Sequence, residues 1–447
     1  MKIFRDPIHN VIDLDTGDEA ANELVIKLID TREFQRLRSI RQLGFAYFAY
    51  PSATHTRFEH SLGVAFLAKR FLEKIVSLED KVLTLYKESA HRQLLSDFFA
   101  RIRKDKAVTI IAALLHDIGH GPLSHTFETI LKNSRHENWT KAIISGESEV
   151  NSLLAGFDAS FPQKVCGILS ESDESMPSAK IITGQLDIDK IDYLLRDSYM
   201  TGAGYGKFDV EWLFNVLTVG VRGDQVEVGL DLGKGLSVAE DFVMARIYMF
   251  RNIYLHKTSI IAQTMLKLLL DRIRELPPDA TDKLFPNDSL RRILQHGAEP
   301  VPHLLEDYIS ISDIDLFAFL KLLQTSEDEV LSSLSRGLLE RRLFKRIDPR
   351  DLGAVTQLIF DVKGRNMQKY HLLTELNSNA ALTYHAAKEY ILLFDKHGQG
   401  FPLHEKSKII PASFSEDFPV EYYVEQGIYH QWSTSHLRSG LSDRPTR

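Results

Sequence analysis

Apolar positions recur at helical spacing along most of the first 276 residues, so the chain reads as largely helical before any single residue is considered. Residues 1–15 alternate apolar and polar around Pro7 and His9-Asn10, which predicts a short hairpin. Glu19 to Ile29 carries Leu24, Ile26, Leu28 and Ile29 at helical spacing, and a short arginine-rich helical segment follows over 31–43. Residues 44–54 are aromatic and turn-rich. Arg57 then opens a strong apolar helix through Val64, Leu67, Ala68, Phe71, Leu72 and Ile75, and 83–106 reads as a second, basic helical stretch. The run Ile110-Ile111-Ala112-Ala113-Leu114-Leu115 has helix-forming composition, and Gly119, Gly121 and Pro122 stop it. Further helices are expected from Ser134-Arg135-His136 and over 181–196. A β-hairpin is expected from 216–221 and 225–230, with Arg222-Gly223-Asp224 between them. A long apolar pattern over 238–276 ends at Pro277-Pro278.

Beyond that point the pattern weakens. Residues 278–302 read as loop, 304–343 return to helical periodicity, and 350–425 mix charged, aromatic segments with β-like runs such as 355–362. The tail from Trp432, rich in Ser, Thr, Gly, Pro and Arg, reads as flexible. The expectation is a mainly α protein with small β-hairpins, divided into a helical core over 1–276, an α+β region over 277–425 and a flexible tail over 426–447.

Composition narrows the partners. A formal net charge of −7 gives no global basic field for nucleic acid or anionic lipid, so any phosphate ligand must be held by a local cluster of Lys and Arg. The single cysteine, Cys166, excludes an intrachain disulfide, and the first residues hold no apolar stretch of signal-peptide length, so cytoplasmic residence is expected. No apolar run approaches the ~18 residues of a membrane span.

The candidate chemistry sits where the apolar run ends, in Leu115-His116-Asp117-Ile118-Gly119-His120-Gly121-Pro122-Leu123-Ser124-His125. A His-Asp pair at the end of a buried helix offers one nitrogen and one carboxylate to an ion between them, and imidazole with carboxylate suits iron, manganese or zinc. A His-Asp pair taken alone reads as well as a cap or a salt link, so the surroundings decide. A metal site there needs ligands from other helices, and His60 in Arg57-Phe58-Glu59-His60-Ser61 and Asp189 in Leu186-Asp187-Ile188-Asp189-Lys190 are two candidates with the right surroundings.

Taken in order, His60, His116, Asp117 and Asp189 resemble the H…HD…D pattern of the HD-domain metallophosphohydrolases. Within that superfamily the chain looks most like the deoxynucleoside triphosphate triphosphohydrolases. The matching segments are Asp6-Pro7-Ile8-His9, Phe34-Gln35-Arg36-Leu37-Arg38, Gln42-Leu43-Gly44, the segment around His60, the His-Asp loop, residues 187–197 and Tyr254-Leu255-His256-Lys257. The resemblance implies an HD-domain helical core. It also implies metal-dependent release of triphosphate from a dNTP by attack of water on the α-phosphorus, with Fe, Mn or Zn at the four ligands and Mg or Mn on the triphosphate. His125 matches the proposed general acid, while His120 and the pair His136-Glu137 match residues that hold a further water or metal and orient the nucleophile. Arg57, Lys190 and Arg246 match triphosphate clamps. Gln42, Tyr193 and Asp197 match the deoxyribose contacts.

The resemblance extends to regulation. Asp30, Gln35 and Arg38 match residues that read a guanine nucleotide at a subunit contact, and Lys2, Arg341 and Lys345 match cations completing such a site from another subunit. It therefore implies a homotetramer activated by GTP or a dNTP. Phe250 and Arg5 depart from the family's pattern, leaving base preference and activator open. Other HD reactions, such as a 5′-nucleotidase or phosphodiesterase, and a non-catalytic nucleotide sensor or nucleic-acid binder remain the alternatives.

Overall fold

The computed structural model describes residues 2–131, 134–170, 179–184, 186–277, 281, 284–297, 299–364, 367–373, 382–385, 390–416 and 421–438. The protein is mainly helical, with small sheets. It divides into two compact units, one of Met1–Tyr254, Asp288–Ile314 and Thr383–Phe414, the other of Leu255–Asn287, Asp315–Leu382 and Ser415–Arg447. The chain thus passes between units repeatedly, where the sequence pattern drew single divisions at 276 and 425.

Five helices of the first unit position the site: α1 (Arg57–Ser77), α2 (Lys106–Leu115), α3 (His125–Ile130), α4 (His136–Ser145) and α5 (Ile188–Thr201). Helix α1 starts at a capping box of Thr56 and Glu59, and α5 starts at Asp187, whose side chain accepts from the Lys190 N–H. Helix α2 is apolar nearly all round, with residues 108–115 buried, as expected of a helix at the centre of a core. It packs against α1, and α5 packs on the same helix. The N-terminal hairpin pairs Ile3–Asp6 with Asn10–Asp13, and the second hairpin pairs Leu217–Arg222 with Gln225–Asp231. The second hairpin extends to a four-stranded sheet through Leu392–Phe394 and Gly400–Pro402.

In the second unit, Lys257–Glu275 packs against Glu329–Leu339. A separate small core gathers Ile347, Val355, Ile359, Leu372, Val424 and Ile428. Among the described residues no helix is long and apolar enough to cross a membrane.

Five expectations need correction. The run over 355–362 is not strand but part of the helix Leu352–Lys363: Val355 and Ile359 are fully buried one turn apart, a helical spacing that the β-branched composition masked. Residues 278–302 include the helix Asp288–His296, and the expected flexible tail is helical over Gln426–Arg438, anchored by buried Ile428. The helix expected over 181–196 is two, Ala179–Thr183 and α5, because Asp187 caps the second. The pattern over 238–276 is also interrupted: helix Leu232–Met249 runs into a π-turn, Phe250–Tyr254, and a new helix starts after His256.

Candidate metal centre and active site

The capping box orients the first turn of α1 inward, which places His60 in the core, while His116 caps the C-terminal end of α2. The His116 Nδ1 lies 2.8 Å from the Ala113 carbonyl, which can only accept, so Nδ1 carries a proton and Nε2 is the nitrogen that can give up its own to a metal. The His60 Nδ1 lies 2.7 Å from the Asp192 carboxylate, which leaves the His60 Nε2 in the same state. Both Nε2 atoms are buried without a hydrogen-bond partner. They face the same two carboxylates. His60 Nε2 is 3.0 Å from Asp189 Oδ1 and 3.4 Å from Asp117 Oδ2, and His116 Nε2 is 3.3 Å from Asp117 Oδ1 and 3.5 Å from Asp189 Oδ1. Donors about 2.1 Å from one ion stand roughly 3.0–3.4 Å from each other, so this spacing and this donor set fit a divalent metal. His60, His116 and Asp117 alone already form a cluster able to hold one.

The electrostatics agree. Burial works against charge on His60, yet Asp117, Asp189 and Asp192 outweigh it and hold its pKa well above the ordinary value. The same happens more weakly at His116, where burial is outweighed by Asp117 and Asp189. The carboxylates of Asp117 and Asp189 stay ionised despite burial, because Arg57, His116 and His120 surround the first and His116 and His60 the second. The pocket is thus built to be filled by positive charge, whether proton or metal.

A second cluster lies alongside, formed by His120, His125, Glu128 and His136. His120 belongs to both, since its Nε2 is 3.3 Å from Asp117 Oδ1 and its ring stacks on that of His136 at 3.8 Å between centroids. Burial, with Arg57 and His136 nearby, drives the His120 pKa well down, so this imidazole is neutral. Glu128 Oε2 is 3.2 Å from His125 Nδ1 and Oε1 is 2.5 Å from His136 Nδ1. Although burial raises the Glu128 pKa, His125 and His136 lower it further, and the group remains a carboxylate. The His125 side chain is 68% exposed, so its far edge is open to a ligand. Glu137 is farther out, 55% exposed and 3.5 Å from His136 Nδ1.

The residues matched to phosphate and sugar line the same region to different degrees. Arg57 is buried and bonded to Asp117 Oδ2 at 2.5 Å and to Ser124 Oγ at 3.0 Å. Lys190 Nζ is held by Asp187 Oδ2 at 2.5 Å and the Gly184 carbonyl at 2.9 Å. Burial, with Asp189 close by, raises the Asp187 carboxyl to about 6 against the opposing pull of Lys190. Arg246 lies 5.9 Å from the Phe250 ring and close enough to Tyr193 to oppose the rise that burial imposes on that phenol. Asp197 is buried, with His55 Nε2 and the Tyr254 hydroxyl each 2.8 Å from its oxygens, and Tyr193 meets Tyr254 edge to face. Gln42 is buried with its Oε1 unpartnered.

Of the residues matched to regulation, Lys2 Nζ is 2.8 Å from Asp30 Oδ1 on the surface, and Gln35 links the Ile29 carbonyl to Arg38 Nε. Arg38 lies over the Phe58 ring, its guanidinium carbon 3.5 Å from the centroid. Arg341 and Lys345 are exposed residues of the other unit.

Several functional contacts carry no sequence-level assignment. Asp192 fixes the His60 tautomer and is itself held by His9 Nε2 at 2.6 Å and by Arg196, which also reaches Asp6. Glu128 stands three residues after His125, one helical turn away, and that spacing was the available signal. Tyr254, whose hydroxyl donates to Asp197, ends a π-turn that no apolar periodicity announces.

The HD domain family model matches residues 57–197, the stretch that contains all four proposed ligands. The uncharacterized protein MG461 homolog of Mycoplasma pneumoniae is 30% identical, over 78% of this chain and 80% of its own length. The deoxynucleoside triphosphate triphosphohydrolase SAMHD1 of Gallus gallus is 29% identical over 79% of this chain, which spans 55% of that protein. A crystal structure of a phosphohydrolase from Bacteroides thetaiotaomicron superposes with a TM-score of 0.75 at 27% identity, covering 95% of this chain and 99% of that one. With its His/Asp cluster able to hold a divalent metal, the chain is an HD-domain phosphohydrolase, and it belongs to the family of the Mycoplasma pneumoniae protein.

Proposed function

We propose that the protein hydrolyses deoxynucleoside triphosphates to deoxynucleoside and inorganic triphosphate. The observation that carries this reading is the shared boundary of the two clusters. Asp117 stands 3.3 Å both from His116 in the metal set and from His120 in the set containing His125 and Glu128. One phosphate ester can then meet an ion and a proton donor together. A bound divalent ion, Fe, Mn or Zn, supplies an acidified water and neutralises phosphate charge, and Mg or Mn accompanies the triphosphate. His125 delivers a proton to the departing 5′-oxygen, and Glu128 orients its ring through Nδ1. His120, His136 and Glu137 frame the attacking side. Arg57, Lys190 and Arg246 grip the phosphates. Gln42 and Asp197 take the 3′-hydroxyl, and the ring of Tyr193 leaves no room for a 2′-hydroxyl.

The likeness to SAMHD1 over 79% of the chain supports the choice of substrate. We further propose a homotetramer in which GTP or a dNTP, bound by Asp30, Gln35 and Arg38 with Lys2, Arg341 and Lys345 of another subunit, raises activity. The test is incubation with each dNTP and a divalent metal, followed by chromatography. Deoxynucleoside and intact triphosphate are the expected products. A nucleoside monophosphate, or no product from any dNTP, overturns the reading.

A further inference from the structure

The loop between α2 and α3 carries Asp117, His120 and the approach to His125, and its internal backbone bonds, from Ile118 to Leu115, His120 to Asp117 and Ser124 to Gly121, close single turns and leave the carbonyls of Ile118, Gly119 and His120 to other partners. It follows a helix end, where carbonyls lose their helical partners. It also contains Leu123 and Ser124 at φ 57° and 55°, a left-handed conformation that side chains other than glycine adopt at a cost. Gly119 presses so closely on α4 that a Cβ would collide with the backbone of Thr140 and His136. Something outside the loop must over-determine it.

That support comes from the segment 305–314, about 190 residues downstream, together with buried Arg36. The three consecutive carbonyls of Ile118, Gly119 and His120 are all taken by two side chains. Arg36 Nη2 donates to Ile118 and His120 at 3.1 and 2.9 Å, and the Tyr308 hydroxyl donates to Gly119 at 2.8 Å. Arg36 Nη1 reaches back to the Ile311 carbonyl at 3.2 Å, so one guanidinium ties the loop to the segment. The Tyr308 ring is fixed in turn, stacked on Trp139 of α4 at 3.7 Å with Arg36 near its other face. At the strained end, Asp313 Oδ1 accepts from the Leu123 N–H at 2.7 Å and Oδ2 from the Arg41 N–H at 3.1 Å. The Ser124 hydroxyl donates to the Arg41 carbonyl at 2.7 Å, and Arg57 Nε donates to that hydroxyl.

We infer that Tyr308 and Asp313 are positioning residues for the hydrolytic site: Tyr308, with Arg36, sets the backbone that carries His120, and Asp313 sets the left-handed turn that aims His125. Neither touches a ligand atom of either cluster. Their effect is on where the imidazoles stand, and misplacement by about 1 Å is enough to cost ~10²-fold in rate. The assignment rests on the site being the reaction centre, and its geometry can be read without turnover.

The test uses the full chain with Tyr308→Phe, which keeps the stacked ring and removes only the donor, and Asp313→Asn, which keeps the volume. Amide hydrogen exchange is followed over the whole protein, and kcat and KM are measured with the dNTP turned over best. Both variants are expected to speed exchange within 117–127 while leaving α1, α2 and α5 protected. They are also expected to lower kcat by about 10- to 100-fold with KM within about twofold and bound metal unchanged. Exchange that stays as in the wild type over 117–127, or that quickens uniformly across the unit, overturns the inference. Because exchange is read without substrate, a protein that turns over no dNTP refutes the proposed function and leaves this measurement to decide the positioning role on its own.

Discussion

At the scale of single residues, the roles proposed for the two histidines with orphaned Nε2 atoms and for the exposed His125 are separable. Truncating a metal ligand removes the ion, whereas truncating the proton donor removes only chemistry. His116→Ala and Asp117→Ala are expected to lose bound metal and turnover together. His125→Ala is expected to keep its metal and lose about 10²–10⁴-fold in kcat, the usual worth of acid-base assistance. Elemental analysis beside steady-state kinetics separates the two, and full metal occupancy in the Asp117 variant would sink the ligand assignment. Asp313 makes a pH prediction. Burial lifts its carboxyl from 3.8 to about 6, against the pull of two backbone N–H groups, Arg41 and Arg36. Between those values the folded chain holds a proton that the unfolded chain releases, so this group's contribution to stability falls as pH rises from about 4 to about 6. The drop is about 3 kcal/mol at most. Denaturant midpoints of wild type and Asp313→Asn at pH 4 to 7 are expected to show the wild type losing ground as pH rises. A gain over that window contradicts the sign.

Among elements, the contact of α1 with α5 decides whether the site exists. Gly63 stands one turn after His60, and a Cβ on it would collide with Asp192 Oδ1 and Arg196 Nη2. Only glycine lets α5 come close enough for Asp192 to fix the His60 ring. The atoms in the way belong to a fully buried ion pair, with Arg196 Nε 2.8 Å from Asp192 Oδ2, so they have little freedom to retreat. Gly63→Ala is therefore expected to destabilise the protein by about 1–3 kcal/mol, the usual cost of overpacking, and to weaken metal binding, although alanine is the better helix former. Calorimetry and metal titration check both effects, and a variant more stable than wild type would refute the packing argument. The π-turn at Phe250–Tyr254 belongs to the same scale, and it ends at Tyr254, whose hydroxyl donates to Asp197.

For the whole molecule, the proposed regulatory site needs residues from more than one chain. Lys2 and Asp30 are paired across the surface at 2.8 Å, an exposed contact of small energetic weight that a nucleotide phosphate can displace. The expected outcome is a nucleotide-dependent rise in mass to a tetramer by light scattering, with activation of about 5–150-fold, the range of ordinary coupling energies. Arg38→Ala is expected to lose both. If this variant keeps the mass and the activation ratio of the wild type, the regulatory site is elsewhere, and the catalytic assignment stands apart from that result.

The sequence by itself determined the helical class, both hairpins, the place of the His-Asp pair at the end of a buried helix and the HD pattern. Each of these is written in local periodicity, capping residues or short motifs. It did not determine the helices at Leu352–Lys363 and Gln426–Arg438, where β-branched or polar composition outweighs a spacing that only burial against Leu372 and Val424 makes decisive. Nor did it single out Asp192, Glu128, Tyr308 or Asp313. Carboxylates and tyrosines are common, and what gives these four their work is a partner one turn away or as many as 190 residues along the chain. Short motifs pointed to the proposed ligands. Tertiary structure chose their tautomers, their charge and the braces that hold them, because buried polar groups must find partners wherever the fold supplies them.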